Sequence, residues 1–217
     1  MTPNRLDSES ILDAAQAVAD RLGGRGLTMR AVGAELDADP TAIYRHFRSK
    51  SELMVALADR MFAGMLDGQP DPDWRQALRD SMLHGRRIYQ EHPAFAEVLA
   101  VTPDDVPSLE RAAERVIGLL RRAGLSDRDA AWFYHLIVNQ VAGTGIFHAL
   151  ADDLLDPEAC AANRRVYATL PPDRFPNCTA VAEHLYPDAD AVYELGVELL
   201  IEAVQRRAAI NDHEKGI

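Results

Sequence analysis

The chain has 217 residues, 47% hydrophobic and 26% charged, with a formal net charge of -11. That is an ordinary globular balance, and the acidity excludes a protein that coats nucleic acid or membrane through bulk charge. The charge is uneven: residues 1–66 carry 8 Lys+Arg against 9 Asp+Glu, so nearly all the net negative charge lies beyond them.

The pattern along the chain predicts an all-α protein, since no stretch alternates apolar and polar residues long enough for a strand. A first helix is expected over residues 8–22, with Ile11, Ala15, Val18 and Leu22 on one stripe and Gly23, Gly24 and Gly26 at its end. Thr28 suits the cap of a short second helix with Met29, Val32 and Leu36 inward, and Pro40 suits the start of a third, PTAIYRHF. Ser49 and Glu52 form a capping box for a fourth, through about residue 66, striped by Leu53, Leu57, Met61 and Met65.

The run Asp67-Gly68-Gln69-Pro70-Asp71-Pro72 breaks the pattern. Three parts are therefore expected: residues 1–50, a connecting helix over 51–66, and a body over 67–217. In the body, helices are predicted near 73–91, 93–101, 106–123, 127–152, 157–168 and 188–208, with Pro93, a Ser126-x-x-Asp129 box and Asp188 marking several of their starts, and residues 170–187, with Pro171, Pro172, Pro176 and Pro187, read as an irregular connection. Residues 130–151 contain no Asp, Glu, Lys or Arg and are long enough to span a bilayer. His135, Asn139, Gln140, Thr144 and His148 are costly in lipid and no basic cluster flanks the run, so a helix buried inside a water-soluble protein is the better reading. Asp7 and Glu9 interrupt the N-terminus with no apolar run after them, so no signal peptide is expected, and Cys160 and Cys178 read as reduced cytoplasmic thiols without zinc spacing.

Residues 28–50, TMRAVGAELDADPTAIYRHFRSK, are the informative segment. Two short helices joined by a tight turn and packed on a longer one make a helix-turn-helix, whose second short helix enters the major groove of DNA. Ile43 and Phe47 would face inward, leaving Thr41, Ala42, Tyr44, Arg45 and His46 outward. Small residues allow close approach, hydroxyl and imidazole groups bond phosphate or base, and Arg reads guanine. Lys50 falls at the next helix start, where backbone N–H groups already favour a phosphate.

This string resembles the DNA-binding domain of the TetR family, in which a T-x-R-x-[VIL]-A-x-x-L-G-V segment precedes Y-x-H-F-x-[SN]-K. The resemblance covers about residues 8–55 and implies a three-helix DNA-binding head on an all-helical ligand-binding body. It maps groove-reading residues onto Arg30, Pro40, Thr41, Ala42, Tyr44 and His46, and phosphate contacts onto Thr28, Tyr44 and Lys50. Two positions depart from the pattern: the turn glycine is Asp37 and the turn valine is Ala38.

The segments WRQALR (74–79), HP (92–93), LRRAGLS (120–126) and YELGVELL (193–200) resemble the tetracycline-repressor type of C-terminal domain. That type dimerises through its two long late helices, here about 127–152 and 188–208, and takes an effector among its middle helices. The ligand-contacting candidates are Met82, Arg86, Tyr89, Phe95, Trp132, His135, Asn139, Phe147 and His148, mostly apolar with a few polar anchors. The resemblance puts Val98-Leu99-Ala100 where a metal-chelated drug would need an imidazole, so no metal and no cofactor are expected. The implied function is a homodimeric repressor that leaves a palindromic operator when a small molecule binds. A regulator without effector response and an activator stay open as alternatives. An enzyme is the least expected, since the sequence holds no Gly-rich phosphate loop, HExxH or nucleophile elbow.

Overall fold

The computed structural model describes residues 6–63, 71–92, 106–150 and 156–215, and every regular element among them is helical. The head begins with α1 (Ser8–Gly26), capped by Asp7: its carboxylate accepts the Ser10 N–H at 2.9 Å and the Asp7 N–H donates back to Ser10 Oγ at 3.1 Å. Gly23, at φ 73°, bends the chain out of the helix, and Leu22 beside the bend is exposed rather than inward as expected. Thr28 caps α2 (Met29–Glu35), and Asp39 with Pro40 opens α3 (Pro40–Ile43). From α4 (Lys50–Ala63), Arg60 reaches back to Asp13 and Gln16 of α1 at 2.7 and 2.8 Å. Ile11, Ala15, Val18, Val32, Ile43, Leu53 and Leu57 form the fully buried centre of this head. The expected Met65 contact lies outside the described residues.

The body packs α5 (Trp74–Glu91), α6 (Pro107–Arg122), α7 (Asp127–Leu150) and α10 (Ala189–Lys215) around Leu78, Met82, Leu119, Leu120, Tyr193, Val197 and Val204. Helix α5 lies tightly on α7 at Gly145, where a Cβ would fall 2.4 Å from the ring of Tyr89. Ser126 caps α7 through the Asp129 N–H, as the box predicts, and the Asp129 carboxylate then accepts from Arg207 at 3.0 Å and Asn211 at 3.2 Å, tying α7 to α10.

A smaller layer of α8 (Pro157–Ala168), α9 (Pro176–Val181) and a 3-10 turn (Ala182–His184) packs on itself. Four prolines suggested an irregular run over 170–187, but Pro176 sits in the first turn of α9, where a missing N–H costs nothing. The helix expected over 93–101 lies outside the described residues. No helix among the described residues is long and apolar enough to cross a membrane.

Candidate functional site

The turn between α2 and α3 is held by the Ala38 N–H, which donates to the Gly33 carbonyl at 2.9 Å. Asp37 takes the left-handed conformation, φ 48°, that its side chain tolerates better than most. Gly33, not singled out from sequence, lets this turn close: a Cβ there would lie 2.9 Å from the Ala38 carbonyl oxygen. The available signal was a helix-weakening glycine inside a short helix.

Regular helix covers only Pro40–Ile43 of the expected PTAIYRHF, but single turns carry the same course onward, with Tyr44 N–H to Pro40 O at 3.3 Å and Phe47 N–H to Ile43 O at 3.0 Å. Ile43 and Phe47 are buried, as expected, while Thr41, Tyr44, Arg45 and His46 are exposed and Pro40 and Ala42 half-buried between them. Asp39 accepts the Thr41 N–H at 2.8 Å, and hydrogen bonding by Thr41 holds that carboxyl below its usual range. Arg30 and Thr28 are exposed on α2 and at its cap. The Thr28 oxygen accepts the Ala31 N–H at 3.1 Å, which leaves its hydroxyl proton to donate outward.

Half of the box expected at α4 forms as predicted, and the other half moves by one residue. Ser49 Oγ accepts the Glu52 N–H at 3.1 Å, but the Glu52 carboxylate turns to the Arg48 N–H at 2.6 Å. Lys50 stands on the first turn of α4, where its ammonium and the open N–H groups favour an anion together. Thr41, Tyr44, Arg45 and His46 thus stand exposed over the buried Ile43 and Phe47, with the half-buried Lys50 just beyond them at the start of α4.

A cavity of about 110 Å³ lies where α4 meets α5, α6 and α7, lined by Phe62, Met82, Tyr89, Leu109, Val116, Tyr134, Ile137, Val141 and neighbouring small residues. The lining is apolar apart from two phenols and Ser81, whose hydroxyl already donates to the Ala77 carbonyl at 2.8 Å. Burial pushes the Tyr89 phenol up to about 12 and raises Tyr134 as well, so both stay protonated donors.

Residues 11–57 match the sequence profile of the tetR family of bacterial regulatory proteins, and residues 67–208 that of the tetracyclin repressor-like C-terminal domain. The chain belongs to the tetR family. The HTH-type transcriptional repressor DrrR1 of Streptomyces coeruleorubidus is 31% identical over 144 residues, a match that takes 64% of this chain and only about half, 52%, of that repressor. The tetracycline repressor protein class C of Escherichia coli is 27% identical over 97% of this chain and 96% of its own length. Among solved structures, apo ActR from Streptomyces coelicolor superposes with a TM-score of 0.82 at 25% identity, covering 96% of this chain and 98% of that one.

Within this tetR-family chain, the expected effector residues separate. Met82 and Tyr89 line the cavity. Arg86 is buried but turns to α10, where its guanidinium meets Asp190 at 2.5 Å and lies 4.4 Å from the centre of the Tyr193 ring. Trp132, His135, Asn139 and Phe147 lie on the opposite, exposed side of α7 and do not line the cavity; Trp132 is 57% and Phe147 56% exposed. Phe95 and the side chain of His148 lie outside the described residues. The lining that sequence reasoning missed comes from Phe62, from α6, and from the Tyr134–Val141 side of α7. Beyond its first turn α7 carries no charged residue to show which side faces a neighbour.

Proposed function

We propose that the protein is a transcriptional repressor that holds operator DNA as a two-fold dimer and releases it when a small molecule fills the cavity. One observation carries the reading: α3 and its following turns are anchored by buried Ile43 and Phe47 and present Thr41, Tyr44, Arg45 and His46 outward beside Lys50. That is the surface a major-groove reader needs. The names of the relatives agree with it, since DrrR1 and the class C protein are repressors. ActR has been crystallised in complex with actinorhodin, which supports a small-molecule role for the corresponding body here. The proposed work is binding rather than catalysis, carried out in the cytoplasm, and the effector set is Met82, Tyr89, Tyr134 and their apolar neighbours rather than the exposed side of α7.

The test is selection of binding sites from random duplex DNA by the purified protein, followed by footprinting. The expected result is a palindrome with half-sites about one DNA turn apart, roughly 34–36 Å. Recovery of no preferred sequence at low salt would sink the reading.

A further inference from the structure

Helix α6 starts without a cap of its own. Val106, at its N-cap, makes no side-chain hydrogen bond, and Pro107 fills the first position. The cap comes from another helix: the Ser108 N–H donates to Asp59 Oδ1 of α4 at 2.6 Å, and Arg111 Nη2 stands 4.0 Å from the same oxygen. A carboxylate there satisfies an N–H that has no partner within its helix and meets the positive end of the helix dipole. Ser108 is fully buried, so water does not reach the donor, while Asp59 keeps about a third of its side chain exposed (34%).

The location gives the contact a consequence. Phe62 lies one turn after Asp59 on α4, and Leu109 follows Ser108 on α6; both line the cavity. Phe62 and Val106 also belong to the apolar core of the head, with Leu109 packed against it. A molecule that fills the cavity therefore presses on both helices beside the directional Asp59–Ser108 bond that joins them. Apolar contacts let helices slide, because dispersion and burial have no preferred direction. A charge-assisted hydrogen bond weakens steeply with misalignment, so it makes a tilt of one helix a tilt of the other. We infer that Asp59 is a positioning residue through which filling of the cavity reaches the reading helix. The inference rests on the repressor reading and adds the route of its regulation.

The effector's identity is not needed to test it, because a side chain can fill the space. Ala142 lines the cavity from α7, which is neither of the two helices joined at the cap. A phenyl ring suits a cavity of about 150 Å³, so Ala142→Phe overfills one of about 110 Å³ and pushes its walls. On a duplex selected by the wild-type protein, Ala142→Phe should weaken binding about tenfold. In an Asp59→Ala background the same substitution should change binding by no more than about twofold, the limit for independent sites. Asp59→Asn, which keeps an acceptor oxygen for the Ser108 amide, should restore most of the effect; Asp59→Leu, which fills the space of the side chain without an acceptor, should lose it as Asp59→Ala does and replaces that variant if it folds poorly.

Hydrogen exchange at the Ser108 amide gives a reading without DNA: faster in Asp59→Ala, near wild type in Asp59→Asn. An equal effect of Ala142→Phe in both backgrounds, no effect in the wild type, or unchanged Ser108 exchange in Asp59→Ala overturns the inference. A wild-type protein that selects no duplex at all sinks the repressor reading, and this inference with it. That result is distinct from a filled cavity that acts without Asp59.

Discussion

Tyr44 exposes 50% of its surface while Ile43 beside it exposes none, and this contrast divides reading from holding at the residue scale. Tyr44 and Lys50 can be cut back without opening the core, because neither belongs to the buried cluster of the head. A Tyr44→Ala, Lys50→Ala double variant should keep its helical circular dichroism and melting temperature. It should lose on the order of 1–3 kcal/mol of operator affinity for each contact removed, read by fluorescence anisotropy on a selected duplex. Undiminished binding would mean that another surface meets the DNA. Asp37 poses the opposite question, since it holds φ 48° where the family pattern has glycine. Asp37→Gly relieves the left-handed strain but adds freedom to the unfolded chain, and the strain is the larger of the two. A gain of about 0.5–1 kcal/mol is expected in chemical denaturation. A lower midpoint would show that the Asp37 side chain does more for the turn than its backbone costs.

At the scale of elements, α7 and α10 are set against each other by Asp129, which accepts hydrogen bonds from Arg207, Ser126 and Asn211. The Arg207 bond foremost, then those of Ser126 and Asn211, hold the carboxyl down to about 2 against the opposing effect of burial. The unfolded value is about 3.9, so the native state binds its proton later than the unfolded chain does. Stability from this group is therefore full above about pH 4 and is lost as the pH falls through the native value. Melting temperatures of wild type and Asp129→Asn should differ by a constant amount near neutrality and converge toward pH 2; parallel profiles would remove the clamp. Ser126 and Asp129 were legible in the sequence because a cap is a local pattern. So were the head's helices, whose stripes Ile11-Ala15-Val18 and Leu53-Leu57 oppose clearly polar faces. The cavity was not, for a definite reason. Residues 130–150 carry no charge, so the sequence supports either side of α7 as the inner one; aromatic Trp132 and Phe147 pointed to the exposed side, while Tyr134, Ile137 and Val141 line the cavity. Phe62 and Leu109 reach the same space from helices distant in the chain, and only tertiary packing brings them there.

For the whole molecule, the side of α7 that misled the sequence reading has its own meaning. It exposes Trp132, Leu136 and Phe147, and α10 exposes Val192, Leu195 and Leu199. Large apolar side chains clustered on two long helices that a buried carboxylate fixes together form the kind of patch that marks an association surface. A two-fold partner presenting the same patch would cover it, and one symmetric interface would set two heads at one fixed separation. Light scattering at micromolar concentration should then give about twice the 23.9 kDa of one chain. Glutamate at both Leu195 and Leu199 places charges in that interface, so the variant should be monomeric while each chain keeps its own core, because both side chains point away from it. Its operator affinity should fall by about 10²–10⁴-fold, since the second half-site is then met from solution rather than at the high effective concentration the dimer provides. The comparison to make is with a single half-site duplex, where the monomeric variant and the wild type should bind alike. A variant that stays dimeric would move the interface elsewhere. A monomer that binds the full palindrome as tightly as the wild type would show that the two heads never act together, and the separation between them would have nothing to do with recognition.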